Sequence, residues 1–493
     1  MDHDLAALQE ARDLLQRARV AADALARCTP EQAWQLAEAV AAALLPKAEF
    51  YAEWAVRETR IGKVADKVMK NRMACQATLD GWRGVPLGGV RRNDALRLVE
   101  IGRPAGVIVG LSNSTSPVAT ILFKALMALM TRNAIVFSPH PVALHCCADA
   151  VREIEAAARR AGAPEHAVQM LSRPTVEATG ALMRDARCDL IVATGGTPMV
   201  RAAYASGNPT IGVGAGNVPV YVDRSADIAA LAPVLISDKN FDHGSPCSAP
   251  SVVLVDRPVA AALRDAVAAC GAHVCSDDEA ARVQAHAWPS GRFNAKVVGR
   301  PAAEIAAGAG VRVGPEIAAL VLPLMQPESG HPLLREKLSP LLTAVVVDGF
   351  DEAVDVARMM LAHGGGGHTA AIHTGDAEQA VAWGAALDYY RVIVNGSTVF
   401  GSTGGETGLA HTFTIGTGFA GRSSVDSNVG PDLLVNWKRV AFPLPGGWLA
   451  TRGAGTGSPA AVATTNRAVA GTPAAEVTRE LLRVLAEELE RAH

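Results

Sequence analysis

One cysteine of this sequence lies in a setting that suits nucleophilic chemistry. Cys247 occurs in the segment FDHGSPCSAPS, between glycine, serine and proline, where the chain is expected to form an accessible loop. A thiolate is a strong nucleophile when its pKa is lowered, and the run CSAPSVVLV places Cys247 at the start of an element. An incidental loop cysteine is the alternative. The other cysteines are expected to be unreactive, because Cys146 and Cys147 fall on a helix and Cys188 precedes a core strand.

A second candidate site is a glycine turn after a predicted strand. In CDLIVATGGTPMV the strand ends at Thr194, Gly195 and Gly196 follow, and a helix begins near Thr197. A strand, a glycine turn and a helix N-terminus together present backbone N–H groups to a pyrophosphate. Tight turns also use glycine for geometry alone, so this segment by itself leaves both interpretations open.

A further glycine run, IGVGAGNVP, contains the pattern G-x-G-x-G from Gly212 to Gly216. We do not interpret it as a dinucleotide fingerprint, because it leads into the strand-like VPVYVD and opens no helix. A packed turn or a close approach of the backbone to a ligand is expected instead, and Gly214 is predicted to contact a cofactor.

Two histidines flank a run of four glycines in HGGGGHTAAIHTGD. His363 and His368 could position an acid, a base or a ligand contact, whereas His363 could equally cap the helix that ends before Gly364. No Asp, Glu or Cys lies near enough in sequence to complete a metal site, and no metal is predicted.

An α/β fold is predicted to position these residues. From residue 100 onward, apolar runs alternate with amphipathic stretches, which is typical of a parallel sheet wound with helices on both faces. A second such series, from SVVLVD to RVIVNGS, predicts a second α/β lobe. Helices are predicted earlier, at 4–28, 30–60 and about 62–82, and the second of them begins at Thr29 and Pro30. The predicted strands of the first lobe are AGVIVGL, NAIVFSP, AVQML, CDLIVATGG and VPVYVD.

The charge balance favours a small-molecule partner. The 493 residues include 46 basic and 49 acidic side chains, giving a net charge of −3 without a block of like charge. Neither nucleic acid nor an anionic membrane surface is therefore the expected partner. The longest apolar stretch is too short to cross a bilayer, the amino terminus is unlike a signal peptide, and a cytoplasmic protein with free thiols is predicted.

The carboxy-terminal part differs in composition from the rest of the chain. Residues 451–471 are rich in small and turn-forming residues and are predicted to be a flexible linker. Residues 472–493 are predicted to form an amphipathic helix with one apolar stripe. A helix of this length is marginal alone in water, so the stripe needs a partner surface. The stripe consists of Val477, Leu481, Val484, Leu485 and Leu489.

Eight segments, taken in this order, resemble the aldehyde dehydrogenase superfamily and in particular its coenzyme A-acylating branch. The resemblance extends from about Asp66 to about Val440. It implies a Rossmann-type nucleotide-binding lobe and an α/β catalytic lobe, with the active site between them. The segments are DKVMKN, RPAGVIVGL, TRNAIVFSPHP, ATGGTPMVRAAYASGNPTIGVGAGNVPVYVD, FDHGSPCSAPS, EKLSP, GGGGHT and SNVGPDLLVNWKRVA.

The resemblance implies roles for single residues. Cys247 matches the catalytic thiol, which attacks an aldehyde to form a thiohemiacetal and then, after hydride transfer to a nicotinamide cofactor, a thioester. His368 matches a histidine typical of the acylating branch, without an assigned chemical role. Glu336 matches a glutamate that contacts the nicotinamide-side ribose. The remaining predicted cofactor contacts are Gly195 and Gly196 at the pyrophosphate, Ser138, Pro139 and His140 at the adenosine, and Gly214.

Two departures from the family pattern refine this expectation. Hydrolytic members resemble one another in an E-L-G-G-K motif whose glutamate activates water, but the stretch GVGAGN begins with Gly212, so that base is missing here. A thiol needs less activation than water, which favours coenzyme A as the acyl acceptor. The second departure is Ser116 before Pro117, where the family has an oxyanion-binding asparagine. Losing one oxyanion donor costs roughly 3 kcal/mol, and Ser116, Asn113 or the backbone N–H of Cys247 is expected to substitute.

The sequence therefore predicts an NAD-linked, coenzyme A-acylating oxidoreductase for a short aliphatic aldehyde such as acetaldehyde or propionaldehyde. A sulfonated or amino-substituted aldehyde is the alternative substrate, and NADP is the alternative cofactor. A homo-oligomer is expected, and helix 472–493 resembles segments that dock acylating relatives to the shell of a bacterial microcompartment. A helix packed on its own subunit or oligomer is the alternative. The rival functions are a hydrolytic aldehyde dehydrogenase and a non-catalytic scaffold. Predicted domains are 1–233 (dinucleotide-binding), 234–415 (catalytic) and 416–450 (return or oligomerisation segment), before the linker and helix.

Overall fold

The fold is known from a computed structural model that describes residues 3–444 and 467–469. Helix 472–493 and most of the predicted linker 451–471 lie outside these residues. Among the described helices, none is both long enough and apolar enough to span a membrane.

Four helices begin the chain: α1 (His3–Leu25), α2 (Pro30–Leu44), α3 (Ala48–Thr59) and α4 (Val64–Trp82). Thr29 caps α2 as predicted, since its hydroxyl accepts from the Gln32 backbone N–H and the Gln32 side chain accepts from the Thr29 N–H. The single helix predicted over 30–60 is divided at Leu45–Lys47, because Pro46 lacks the N–H that a continuous helix needs.

A five-stranded parallel sheet follows a hairpin of β1 (Gly89–Asn93) and β2 (Leu98–Pro104). Its strand order is β5-β4-β3-β6-β7, and all its pairings are parallel. Near-continuous apolar strands are expected where helices cover both faces. The elements are β3 (Val107–Leu111), α5 (Pro117–Met130), β4 (Ala134–Ser138), α6 (Leu144–Arg160), β5 (Val168–Met170), α7 (Val176–Arg184), β6 (Leu190–Thr194), α8 (Thr197–Tyr204) and β7 (Thr210–Val213).

The second sheet has seven parallel strands in the order β10-β11-β12-β9-β8-β13-β14. The predicted domain boundary between residues 233 and 234 falls inside α9, and β8 pairs within this second sheet, so the chain leaves the first sheet at 214–217. The elements are β8 (Val218–Val222), α9 (Ile228–Asn240), β9 (Pro250–Asp256), α10 (Arg257–Ala269), β10 (Ala272–Val274), α11 (Asp277–Ala287), α12 (Ala302–Gly308), β11 (Ala319–Pro323), β12 (Leu341–Val347), α13 (Phe350–Leu361), β13 (Ala370–His373), α14 (Ala377–Ala386), β14 (Val392–Val394) and α15 (Thr398–Ser402).

A smaller antiparallel sheet, absent from the sequence prediction, has the order β15-β2-β1-β16. Strand β15 (Val435–Ala441) lies within the predicted return segment and pairs with β2. Strand β16 (Arg467–Val469), from the predicted linker, pairs with β1. Strand β1 reads GVRRN and is only half-buried, so it lacks the apolar run that marks the strands of the two parallel sheets.

The two parallel sheets present opposite strand ends to each other. Strands β3, β6 and β7 direct their carboxyl ends towards the junction, and β8, β9 and β13 begin there. The carboxyl edge of a parallel sheet is where α/β proteins bind ligands. The loops at these strand ends can therefore build one site from both lobes.

Candidate active site

A cleft of about 100 Å³ lies between the two sheets and is lined by Cys247. Its wall combines the ends of β3, β6 and β7 and the loops after them with the segments before β9 and β13. Helices α4, α5 and α15 and residues 403–415 complete it. The lining residues are Lys70, Met73, Asn113, Thr115, Ser116, Thr120, Thr194, Val213, Gly214, Phe241, Pro246, Cys247, Ser248, His368, Val399, Phe400, Thr403, Thr412, Phe413 and Ile415.

Cys247 is held by a tight turn rather than by a helix. The 3-10 turn Phe241–Gly244 precedes it, with left-handed φ values of 49° at Asp242 and 53° at His243, and β9 begins shortly after it. The backbone of Cys247 packs against Gly216: a Cβ on Gly216 would lie 1.9 Å from the Cys247 carbonyl oxygen. Only glycine permits that approach, which fixes the thiol relative to the crossing between the sheets.

His368 is the immediate partner of the thiol. Its Nε2 lies 3.1 Å from Cys247 Sγ, and its Nδ1 lies 3.1 Å from Thr369 Oγ1. In the tautomer with the proton on Nδ1, Nδ1 donates to Thr369 and Nε2 accepts the thiol proton. Arg391 Nη1 donates to the His368 carbonyl oxygen at 3.0 Å and anchors the segment.

The resting pair is electrically neutral. Burial, and secondarily the charge of Glu336, raises the pKa of Cys247 to about 12. Burial, and secondarily the Arg391 cation, lowers the pKa of His368 to about 3. Cys247 is enclosed by protein, yet it keeps partial exposure to the cleft. The site therefore stores a protonated thiol beside a neutral imidazole, and the proton must move when sulfur attacks.

Glu336 contacts Gly216, in the segment 214–217 where the chain passes from the first sheet to the second, and it is not among the residues that line the cleft. Its Oε1 accepts from the Gly216 N–H at 2.9 Å. Burial raises its pKa to about 8, although that hydrogen bond and the cations of Lys239 and Lys337 act in the opposite direction. Its predicted contact with a cofactor ribose remains a prediction.

Ser116 is held at the start of α5 by two neighbours. Its backbone N–H donates to Asn113 Oδ1 at 3.0 Å, and its hydroxyl accepts from Lys70 Nζ at 2.9 Å. Both Asn113 and Ser116 line the cleft with Cys247. The structure thus brings together the predicted catalytic residues Cys247, Ser116 and His368.

Apart from Glu336, the predicted cofactor residues lie at the carboxyl edge of the first sheet, and of all of them only Gly214 lines the cleft. Gly195 and Gly196 follow β6, and Gly196 begins α8. A Cβ on Gly195 would meet nothing closer than 3.8 Å, and one on Gly214 nothing within 4 Å, so ligand atoms can approach both backbones. This open edge fits a dinucleotide.

The three residues after β4 have local structural partners. Ser138 Oγ lies 2.8 Å from Thr179 Oγ1, and His140 Nδ1 accepts from the Val142 N–H at 3.3 Å, with Pro139 between them. Their predicted contact with an adenosine remains a prediction.

Val213, and not Gly212, turns its side chain towards the cleft. That Gly212 stands where hydrolytic members have their glutamate remains a prediction. Val213 lines the cleft, whereas a Cβ on Gly212 would lie 2.7 Å from the Tyr204 ring and 2.9 Å from Val200. Successive strand residues face opposite sides, so a one-residue difference decides which side chain enters the site. No Asp or Glu is among the described residues that line the cleft.

Sequence reasoning missed the charged group behind Ser116. Lys67 and Lys70, on one face of α4, both donate to Asp242 Oδ2, at 2.9 and 2.6 Å. Two lysines at i and i+3 inside DKVMKN are a signal for a buried acidic partner, but the partner lies 172–175 residues away.

The other histidine and cysteine candidates lie apart from this pair. His363 Nε2 accepts from the Gly330 N–H at 3.0 Å. Elsewhere, His273, Cys275 and Glu279 place their potential ligand atoms within 4.8 Å of one another. Glu279 Oε2 is already used there, since it accepts from the Ser276 N–H at 2.9 Å in the capping box of α11.

Comparison with known proteins supports the interpretation of the cleft. The family model described as "Aldehyde dehydrogenase family" matches residues 2–418. The bifunctional aldehyde-alcohol dehydrogenase of Escherichia coli is 37% identical over 439 residues, which cover 88% of this chain and 49% of that protein. The chain spans about half the length of that relative.

Two solved structures resemble the whole described fold. An acetylating aldehyde dehydrogenase from Geobacillus thermoglucosidasius has a TM-score of 0.88 and 38% identity, covering 90% of this chain and 98% of that chain. A propionaldehyde dehydrogenase from the Clostridium phytofermentans fucose utilisation bacterial microcompartment has a TM-score of 0.79 and 26% identity, covering 88% of this chain and 97% of that chain.

Proposed function

This chain belongs to the aldehyde dehydrogenase family, and from that premise we propose that it oxidises an aldehyde to its acyl-coenzyme A thioester. The observation that carries the proposal is the Cys247–His368 pair, 3.1 Å apart, in a cleft whose described lining contains no carboxylate. The pair supplies a nucleophile and a proton acceptor, and the described lining supplies no carboxylate to activate water.

The first half-reaction forms a bond between Cys247 and the aldehyde. As sulfur attacks the carbonyl carbon, the thiol proton passes to His368 Nε2 and the C=O π electrons move to oxygen. The Ser116 hydroxyl is placed to donate to that oxyanion. A bound nicotinamide cofactor supplies the hydride acceptor. Cys247 then carries the acyl group as a thioester, and His368 releases its proton to solvent.

The second half-reaction transfers the acyl group to coenzyme A. His368 accepts the proton of the incoming thiol, the new thioester forms, and Cys247 leaves as a thiolate that His368 reprotonates. Over both halves the aldehyde loses a hydride, the cofactor gains it, and one proton is released. Because Val213 faces the cleft where a carboxylate would activate water, the enzyme-bound thioester persists until a thiol arrives.

The described wall favours a small aldehyde with a short apolar chain. Met73, Phe241, Val399, Phe413 and Ile415 give the cleft an apolar surface, with threonine hydroxyls between them. Acetaldehyde and propionaldehyde are the proposed substrates. The printed description of the Clostridium phytofermentans neighbour, a propionaldehyde dehydrogenase, supports the same size class.

The deciding experiment measures NADH formation from acetaldehyde and propionaldehyde with NAD, with and without coenzyme A; NADP is tested in parallel. We expect sustained formation of NADH and acyl-coenzyme A together, only when coenzyme A is present. Cys247→Ala should abolish both products, while the matched control Cys270→Ala, in a surface helix cap, should retain them. Sustained turnover without coenzyme A would identify water as the acceptor and overturn the proposal.

We further propose that the protein is a homo-oligomer acting in the cytoplasm or in a microcompartment lumen, with residues 472–493 docking to shell protein. The apolar stripe of that segment and the microcompartment origin of the Clostridium neighbour support this. Deleting 472–493 should abolish co-sedimentation with shell protein and leave activity unchanged. Loss of activity or of the oligomeric state would instead indicate a helix that packs on its own subunit or oligomer.

A further inference from the structure

We propose that Lys70 is a positioning residue for the proposed reaction: its ammonium group orients and polarises the Ser116 hydroxyl, which donates to the oxyanion formed when Cys247 attacks. This inference rests on the proposed function, because it assigns the stabiliser of an intermediate in that reaction. Lys70 had no place in the sequence-based prediction, which assigned the oxyanion role only to Ser116, Asn113 or the backbone of Cys247.

Lys70 contacts both Ser116 and a buried carboxylate at the wall of the cleft. Lys70 Nζ lies 2.9 Å from Ser116 Oγ and 2.6 Å from Asp242 Oδ2, and the side chain is only 7% exposed. Lys70, Ser116 and Cys247 all line the same cleft. The ammonium group is therefore held between a buried carboxylate and a hydroxyl that lines the same cleft as Cys247.

The direction of the hydrogen bond decides what the hydroxyl can do. An ammonium group only donates, so Ser116 Oγ must accept from Lys70, and the hydroxyl hydrogen must point elsewhere. Among the described residues, Lys70 is the only hydrogen-bond partner of that oxygen. The backbone of Ser116 is fixed by its bond to Asn113 Oδ1. The hydroxyl hydrogen is consequently available to an oxygen atom in the cleft.

The Lys70 ammonium group is held in place by a buried carboxylate. Asp242 is completely buried, and its Oδ2 accepts from both Lys67 and Lys70. Both oxygens of Asp242 are also occupied by the Lys63 N–H, at 2.8 Å, and by Ser245 Oγ, at 3.0 Å. The neighbouring charges, Lys63 and Asp66, pair with each other at 3.1 Å and cancel. A cation beside a donor strengthens its bond to an oxyanion in a site shielded from water.

The backbone around this group is adapted to hold Asp242 in place. Asp242 has a left-handed φ of 49°, and a Cβ on Gly62 would lie 1.8 Å from Asp242 Oδ1. The carboxylate is therefore seated against a glycine, and the catalytic turn and α4 are tied together through Lys67 and Lys70. The competing explanation is that Lys70 only neutralises Asp242.

Lys67 provides a matched control for that explanation. It lies one helical turn before Lys70, is equally buried and also contacts Asp242 Oδ2, but it donates to the Thr115 carbonyl and not to the Ser116 hydroxyl. Neutralising Lys67 therefore removes a partner of Asp242 without removing the donor to Ser116.

The test is a double-mutant cycle on the pre-steady-state burst of NADH from propionaldehyde without coenzyme A, which reports acylation of Cys247. We expect Ser116→Ala to slow the burst about 100-fold, as for loss of one oxyanion donor. Lys70→Met should slow it at least tenfold with less than a threefold change in the aldehyde KM, and the double variant should be no slower than Ser116→Ala. Lys67→Met should lower the melting temperature as Lys70→Met does, with a burst within about threefold of wild type.

Three results would overturn the inference while leaving the proposed function intact. The first is a double variant whose burst is slowed by the product of the two single effects. The others are a burst slowed as much by Lys67→Met as by Lys70→Met, and an unchanged burst in Ser116→Ala. An unchanged burst in Ser116→Ala overturns the inference even where Lys70→Met does not fold, because Ser116→Ala leaves the Lys70–Asp242 pair in place. In that case Lys70→Gln, which keeps a polar group but removes the charge, takes the place of Lys70→Met in the cycle. Absence of any burst in the wild-type protein would instead defeat the proposed function and this inference together. Lys70→Arg, which keeps the charge, should restore most of the rate lost in Lys70→Met.

Discussion

The protonation state of the resting thiol gives the sharpest test of the site's electrostatics. Because burial and the Glu336 charge raise the pKa of Cys247 to about 12, the thiolate fraction at pH 8 is about one in ten thousand. A cysteine with a pKa of 9.0 would have about one in ten as thiolate at that pH. Alkylation of Cys247 by iodoacetamide should accordingly be about a thousandfold slower than for such a thiol.

The assay follows the Cys247 peptide by mass spectrometry between pH 6 and pH 10. Access to the cleft lowers the rate equally at each pH, so the shape of the profile is the measured quantity. We expect the rate to rise throughout this range without reaching a plateau, about tenfold per pH unit except near pH 8, where the charging of Glu336 makes the rise less steep. A plateau between pH 6 and pH 8 would refute the reasoning, because it would show a thiolate already stabilised as an ion pair with His368.

Glu336→Gln tests the second cause of the shift. Since the Glu336 pKa is raised to about 8, its carboxyl is neutral near pH 6 and charged above pH 9. The variant should therefore match wild type at pH 6 and react faster above pH 8, because a negative charge that disfavours the thiolate has been removed. The exposed control Glu316→Gln should follow the wild-type profile at every pH.

Three further predictions concern water activation and stability. Val213→Glu places a carboxylate in the cleft, so it should form NADH without coenzyme A at least tenfold faster than wild type. In Gly212→Glu the new side chain meets Tyr204 and Val200, so the soluble fraction of this variant should form no NADH without coenzyme A. Burial raises the pKa of Asp242, but Lys70 and Lys67 more than offset this effect and hold that pKa well below its usual range. Asp242→Asn should therefore lower the free energy of unfolding, measured in urea at pH 7, by about 3–5 kcal/mol. The difference in stability from wild type should shrink as the pH falls below about 4. The raised pKa of Glu336 has the opposite effect on stability. As the pH rises from about 4.5 to 8, the wild-type protein should lose roughly 3–5 kcal/mol of stability relative to Glu336→Gln. This loss should be measured as a growing difference between the melting temperatures of the two proteins.

Much of the fold could be predicted from local patterns. The apolar runs that became β3, β4, β6, β8 and β9 are buried on both faces, so their periodicity is visible without any partner. The Thr29 cap is likewise a contact within three residues. The sheet of β1, β2 and β15 was not predicted, because these strands are half-exposed and charged and because β15 pairs with β2 across more than 300 residues.

Cys247 and Ser116 could be found from their segments, but the sequence could not say what surrounds them. His368 lies 121 residues from Cys247, Asp242 lies 172 residues from Lys70, and Gly216 reaches Glu336 across 120 residues. The choice between Gly212 and Val213 depended on which face of β7 meets the cleft, and a shift of one residue reverses that face.

The sequence by itself determined the α/β class and the order of the motifs, and it singled out Cys247 as the candidate nucleophile, because each is encoded in short-range periodicity or in a local segment. The tertiary structure alone decided the partner of the thiol, the lysine behind the Ser116 hydroxyl and the absence of a carboxylate among the described lining of the cleft. These depend on how the carboxyl ends of one sheet meet the amino ends of another. That juxtaposition is set by packing between residues far apart in the chain, for which no local pattern exists.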